Sequence, residues 1–163
     1  MILTLILKGI SFFQFTSALK KQGISYSEID TRPAPFNTIL WSANIDAGDN
    51  YLLAEYSFFD TQPLSFRVVP KQRELLEDLI KNENIQRLIK ISEGWYAISK
   101  QQNQLYFNDL RFGVYDMSAT GLEFVFSYKL ITDKDTLTIE EAERNPGKMK
   151  TVMLGLWDRI WGN

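Results

Sequence analysis

The sequence predicts an α+β fold: an antiparallel sheet of about six strands in hairpins, with helices at the N-terminus, middle and C-terminus. Three observations carry this expectation. "GLEFVFSYKLI" at 121–131 alternates, placing Phe124, Phe126, Tyr128 and Leu130 on one face of a strand. Polar clusters, "DAGDN" at 46–50 and "QQNQ" at 101–104, separate apolar runs at hairpin spacing. The C-terminal stretch instead sets Met149, Val152, Met153, Leu156 and Ile160 at helical spacing, with Trp157 and Trp161 four apart beside them.

Taken in order, the first helix runs from about Leu3 to Lys21 and stops at Gly23. Its opening, "MILTLILKGISFF", supports two readings. In one, Leu3, Leu7, Ile10 and Phe13 form a face packed on the domain. In the other, the segment is the end of a membrane helix that begins upstream of Met1. A span needs about 20 apolar residues, and Lys8 interrupts this run early. A signal peptide would carry its positive charge ahead of the apolar run, whereas Lys8 follows it. Lys8, Lys20, Lys21 and Arg32 follow the apolar start and acidic residues begin only at Glu28, a bias that puts the domain on the cytoplasmic side of any such membrane.

"RPAPFNTILW" at 32–41 comes next. Pro33 and Pro35 force extended backbone on Arg32 and Ala34, so no helix crosses here. A strand is expected from Thr38, with Ile39 and Trp41 sharing a face, then a return at Tyr51–Phe59 and a third strand at Leu64–Val69 ended by Pro70. Residues 71–91 read as two short helices or one kinked helix, broken at Asn82–Asn84. "GWYAISK" and "LYFNDLRFGVYD" form a second hairpin. Thr138 and Glu141 have capping-box spacing for a short helix, Asn145 and Pro146 mark another helix start, and Gly162 suits a C-terminal cap. At 163 residues the chain fits a single domain over 1–163, an N-terminal helix (1–23) followed by an α+β body (36–163).

Composition excludes several chemistries. With no Cys and no His, the chain can form neither disulfides nor thiolate sites, nor His-based triads or His/Cys zinc sites. A formal charge of −2 without a dense basic run argues against nucleic acid as a partner. No P-loop, GxSxG or dinucleotide glycine pattern is present. "DKDTLTIEE" at 133–141 lacks the glycine of a calcium loop and brings its glutamate too soon, so it reads as a solvated turn leading into the capped helix.

Candidate binding residues come from charge and aromatic placement. Asp109 and Arg111 lie two apart in a strand-like stretch and so face the same way, either pairing with each other or leaving Arg111 to clamp an anionic ligand. Asp60 ends "YSFFD", where it caps a turn or serves a site. Pro33, Phe36 and Trp41 are candidates to rim a ligand pocket with Asp60, Asp109 and Arg111. Carboxylates at Asp60, Asp109, Asp116 and Glu123 leave open a carboxylate–Arg enzyme acting on a small anionic substrate. Trp157 and Trp161 suit the core, a partner surface or the membrane interface.

"RPAPFNTILW", "YLLAEYSFFD", "DLRFG" and "EFVFSYKL", in that order, resemble the C-terminal extramembrane region of the membrane-bound metal-dependent hydrolase family, also described as LexA-binding, inner-membrane-associated hydrolases. The likeness runs from about Ile6 to Trp161. It implies a bacterial inner-membrane location, and it favours the membrane-helix reading of the N-terminus. It also implies a divalent metal held by His and Asp residues in a membrane portion upstream. No ligand of that set maps onto this His-free chain, so neither a catalytic nor a metal-binding residue carries over. The expected role is a non-catalytic accessory domain that binds a ligand or protein partner, or positions the membrane portion of the same protein.

Overall fold

The computed structural model describes residues 2–34, 37–116, 123–133, 136–142 and 155–162, with backbone only at Tyr115 and Asp116. The fold is α+β, with two four-stranded antiparallel sheets in place of the expected six strands. The chain divides into two compact units, residues 1–69 with 146–163, and residues 70–145.

The first unit begins with α1 (Ile2–Lys21), followed by β1 (Glu28–Pro33), β2 (Leu40–Ala47), β3 (Asn50–Ser57) and β4 (Arg67–Pro70), which lie in that order in the sheet. β1 was not expected from the sequence, because "EIDTRP" offers only Ile29 and Thr31 as inward positions. β2 starts later than predicted. The Asn37 side chain accepts from the N–H groups of Ile39 (3.0 Å) and Leu40 (2.8 Å), holding Thr38 and Ile39 in a bend. Pairing sets Trp41 opposite Tyr56, Ala43 opposite Ala54 and Ile45 opposite Leu52. These residues form the core with Phe15 and Leu19 of α1.

The packed stripe of α1 is Leu7, Ser11, Phe15 and Leu19, four residues apart. This corrects the expected face: Leu3, Ile10 and Phe13 are exposed. Ser11 fits the buried stripe because its hydroxyl donates to the Leu7 carbonyl at 2.9 Å. The described part of the C-terminal helix covers residues 155–160 and belongs to this unit.

The second unit opens with a 3₁₀ segment (Arg73–Lys81), which is kinked at Glu77 (φ 44°), then the middle helix (Glu83–Ile91). These are the two short helices the sequence predicts. Asn82 separates them and caps the second, its side chain accepting from the Asn84 N–H at 2.9 Å. β5 (Tyr96–Gln101), β6 (Gln104–Asp116), β7 (Glu123–Asp133) and β8 (Thr136–Glu141) then form a consecutive meander. Phe126, Tyr128 and Leu130 share a face as expected, opposite Asp109, Phe107 and Leu105. Leu76 and Ile85 complete that core.

β8 replaces the expected capped helix at Thr138–Glu141. Leu137 and Ile139 pack against the core at strand spacing, and pairing with β7 overrides the capping-box pattern. Within "DKDTLTIEE", Asp133 thus ends β7 and residues 136–141 are β8 in place of the expected turn and helix. The helix start at Asn145–Pro146, and Met149, Val152 and Met153, lie outside the described residues.

Candidate functional site

Among the described residues, Arg32 pairs with Asp30 on β1 at 2.6 Å, and two larger arginine–carboxylate constellations and one apolar surface carry the chemical potential. In the second unit, β6 leaves its ladder after Asp109, with a register shift before Val114 and Gly113 at φ 77°. Asp109 organises this bulge. Its carboxylate accepts from the Arg111 backbone N–H at 2.9 Å and from Nη2 of the same arginine at 2.8 Å. Arg111 also reaches Glu93 at 3.5 Å and lies over the Phe112 ring, 5.1 Å from its centroid. The hydrogen bonds to Asp109, opposed by burial and assisted by both carboxylates, push the guanidinium pKa up. An anion arriving at Arg111 would have to displace Glu93 or Asp109.

In the first unit, Arg159 of helix 155–160 grips the end of β3. It makes a two-pronged pair with Asp60, with Nη2 to Oδ2 at 2.7 Å, and donates to the Glu55 carbonyl at 3.1 Å. Its Nε lies 3.6 Å from the Glu55 carboxylate. Asp60 also accepts from the Ser57 N–H at 2.9 Å, and the Ser57 hydroxyl donates to the Ile160 carbonyl. Burial pushes Asp60 up, but its bonds to Arg159 and the Ser57 amide, with the arginine charge, outweigh that and hold it below its ordinary value. Glu55 moves the other way. Burial raises it, Arg159 lowers it less, and the neighbouring Asp60 charge raises it further.

The predicted site residues thus take different positions. Pro33 and Trp41 are direct cross-strand partners. Pro33 is exposed, whereas Trp41 lies in the core with its indole N–H donating to the Thr38 carbonyl at 2.9 Å. Phe36 lies outside the described residues. Asp60 is engaged by Arg159, and Asp109 and Arg111 are brought together in the second unit. Sequence reasoning missed Glu55 and Arg159, which stand 104 positions apart and match no spacing rule. Trp157 and Trp161 are on the surface, against the core option.

Among the described residues, no three His, Cys, Asp or Glu side chains group as metal ligands would. The third feature is α1, 20 residues long with mean hydropathy 1.6 over its apolar window, long and apolar enough by composition to cross a membrane. At about 100° per residue, Ile2, Leu3, Leu5, Ile6, Ile10, Phe12 and Phe13 fall opposite the packed stripe or on its flanks, and all are exposed.

Comparison with protein-family models, curated proteins and solved structures finds no match.

Proposed function

We propose that this chain is a non-catalytic, membrane-associated accessory domain of a hydrolase-like membrane protein, which binds a ligand or protein partner or positions the membrane portion. The observation that carries the membrane part of this reading is the exposed apolar surface of α1. A helix that packs on its own domain normally turns its apolar side inward and its polar side to water. Here only Leu7 and Ser11 of residues 2–13 are covered, Thr4 and Lys8 lie exposed in line with that stripe, and the outward side is apolar apart from Gly9. Lipid is the environment that such a surface suits. Lys8 can extend its ammonium toward the headgroups while its stem stays in hydrocarbon.

The two charged constellations support a non-catalytic reading, since each arginine is already held by the carboxylates of its own unit. The family resemblance adds the bacterial inner membrane, and Lys20 and Lys21 at the domain end of α1 carry the charge sign that favours a cytoplasmic-facing domain. The test is flotation of the full chain with phosphatidylcholine vesicles. The wild-type chain is expected to float with the lipid, and the Leu3→Glu/Ile6→Glu variant to remain in the aqueous fraction. A wild-type chain that stays monodisperse in water and ignores vesicles would overturn the reading.

A further inference from the structure

We infer that Phe59, Trp157 and Trp161 form an interfacial anchor that seats the first unit at the headgroup level of the bilayer entered by α1; this rests on the membrane reading above. The three rings form one exposed cluster. Phe59 is 47% exposed, Trp157 61% and Trp161 51%. Phe59 and Trp161 are stacked at 5.2 Å, and Trp157 meets Trp161 edge-on at 6.2 Å. Large aromatics in a soluble surface normally turn their rings inward, and exposed ones that are held rigid mark a contact surface.

The cluster is rigid because its foundation is polar and well satisfied. Arg159, Asp60, Ser57 and the Ile160 carbonyl fasten helix 155–160 to the end of β3. Gly162, at φ 80°, comes so close that a Cβ there would stand 2.5 Å from the Phe59 carbonyl oxygen. The rings are therefore presented ready for contact, with little ordering left to do on binding.

Chain direction places the cluster at the same end of the first sheet as the tip of α1. The helix ends where β1 begins: the Ile24 N–H donates to the Leu19 carbonyl, and the Ser27 N–H to the Asp46 carbonyl beside the Glu28–Asp46 pair. Running back from there, α1 reaches Tyr56 at Phe15, whose rings meet edge-to-face at 6.2 Å. Tyr56 is one residue from the last pair, Leu40–Ser57. Ile2 lies 13 residues before Phe15, roughly 20 Å further along the helix. The tip thus extends beyond the Ser57 end of the sheet, the end from which Phe59 and helix 155–160 arise.

Chemistry selects the lipid boundary as the occupant. Indole and phenyl rings combine an apolar body with, in tryptophan, an N–H that remains hydrated, the combination favoured at headgroup depth. Charge points to a neutral surface. Arg159 is neutralised by Asp60, and Asp158 beside the rings is exposed and acidic, so the patch offers little attraction for anionic headgroups.

The chain reports on itself, because Trp41 and Trp95 are buried, at 1% and 6% exposure. Any response of tryptophan emission to lipid therefore comes from Trp157 and Trp161. The full chain is mixed with phosphatidylcholine vesicles brominated near the top of the acyl chains, binding being read separately by flotation. Emission is expected to shift to the blue and be quenched, with the quenching falling by about half in Trp157→Phe. Trp157→Ser should weaken partitioning about tenfold, the weight of one partly inserted aromatic side chain. Trp157 meets Trp161 edge-on, so this variant keeps the Phe59–Trp161 stack, and an unchanged circular dichroism spectrum verifies folding. A chain that floats with lipid while its emission stays unshifted and unquenched overturns this inference and leaves the anchoring of α1 standing. A chain that does not float overturns both, and the aromatic cluster would then fit a protein partner.

Discussion

Each unit holds an arginine against an aspartate, but the two pairs are built differently. Arg111 and Asp109 are two residues apart on one irregular strand, whereas Arg159 and Asp60 are separated by 99 positions. The local pair shapes a bulge within a single strand. The distant pair fastens the C-terminal helix to the end of a hairpin, and it brings a half-buried glutamate into the same network. The first unit also has a local pair, Arg32 with Asp30 two residues away on β1 at 2.6 Å, so what sets it apart is the long-range closure by Arg159.

The largest expected effect follows removal of the local cation. Arg111→Ala strands an Asp109 side chain that is only 5% exposed, which should cost about 3 kcal/mol in urea unfolding. If stability instead changes little while binding of a small anion disappears, the pair is a ligand site. Arg159→Ala is next, at about 2 kcal/mol, because its partners are more accessible and water can replace part of the interaction. Its distinguishing readout is hydrogen exchange: protection should fall in helix 155–160 and at the end of β3, with the β5–β8 meander unchanged. Loss of protection in both regions together would erase the contrast between local and long-range roles.

Gly162→Ala should cost about 2 kcal/mol, from positive φ together with a clash on the Phe59 backbone carbonyl. Trp161 emission checks this by reporting whether the stack on Phe59 loosens. The smallest effect belongs to Glu55→Gln. The raised folded pKa of Glu55 means that its contribution to stability is full below its unfolded value and is lost as pH rises through the folded one. Asp60 behaves oppositely, because its depressed folded pKa gives stability above the unfolded value that is lost as pH falls through the folded one. Glu55→Gln should therefore gain relative to the wild type between acid and neutral pH, and urea unfolding at about pH 4 and about pH 7 measures that difference. A constant difference across this interval would show that Glu55 titrates alike in the folded and unfolded chain.

Much of the architecture was legible because it is encoded within a turn or hairpin. The β7 face with Phe126, Tyr128 and Leu130, the break at Asn82 and the glycine conformation at Gly162 each depend on near neighbours. β1 was harder to see, because its stability comes from pairing with β2 more than from its own apolar content. β8 shows two local signals in competition: the Thr138–Glu141 cap pattern yields to the burial of Leu137 and Ile139. Of the site residues, Asp109 and Arg111 could be set side by side from their two-residue spacing, with pairing as one of two options, whereas the bulge that seats the pair could not be read.

The sequence by itself determined the α+β class, the hairpin order, the exclusion of Cys- and His-based chemistry, and the presence of an apolar first helix. Only the tertiary structure decided which stripe of that helix is packed, that the strands divide into two sheets, and that Trp157 and Trp161 face outward. It also joined Arg159 to Asp60 and raised Glu55. The physical reason is range: periodicity and turn chemistry act over a few residues, whereas burial and charge pairing depend on which distant segments meet.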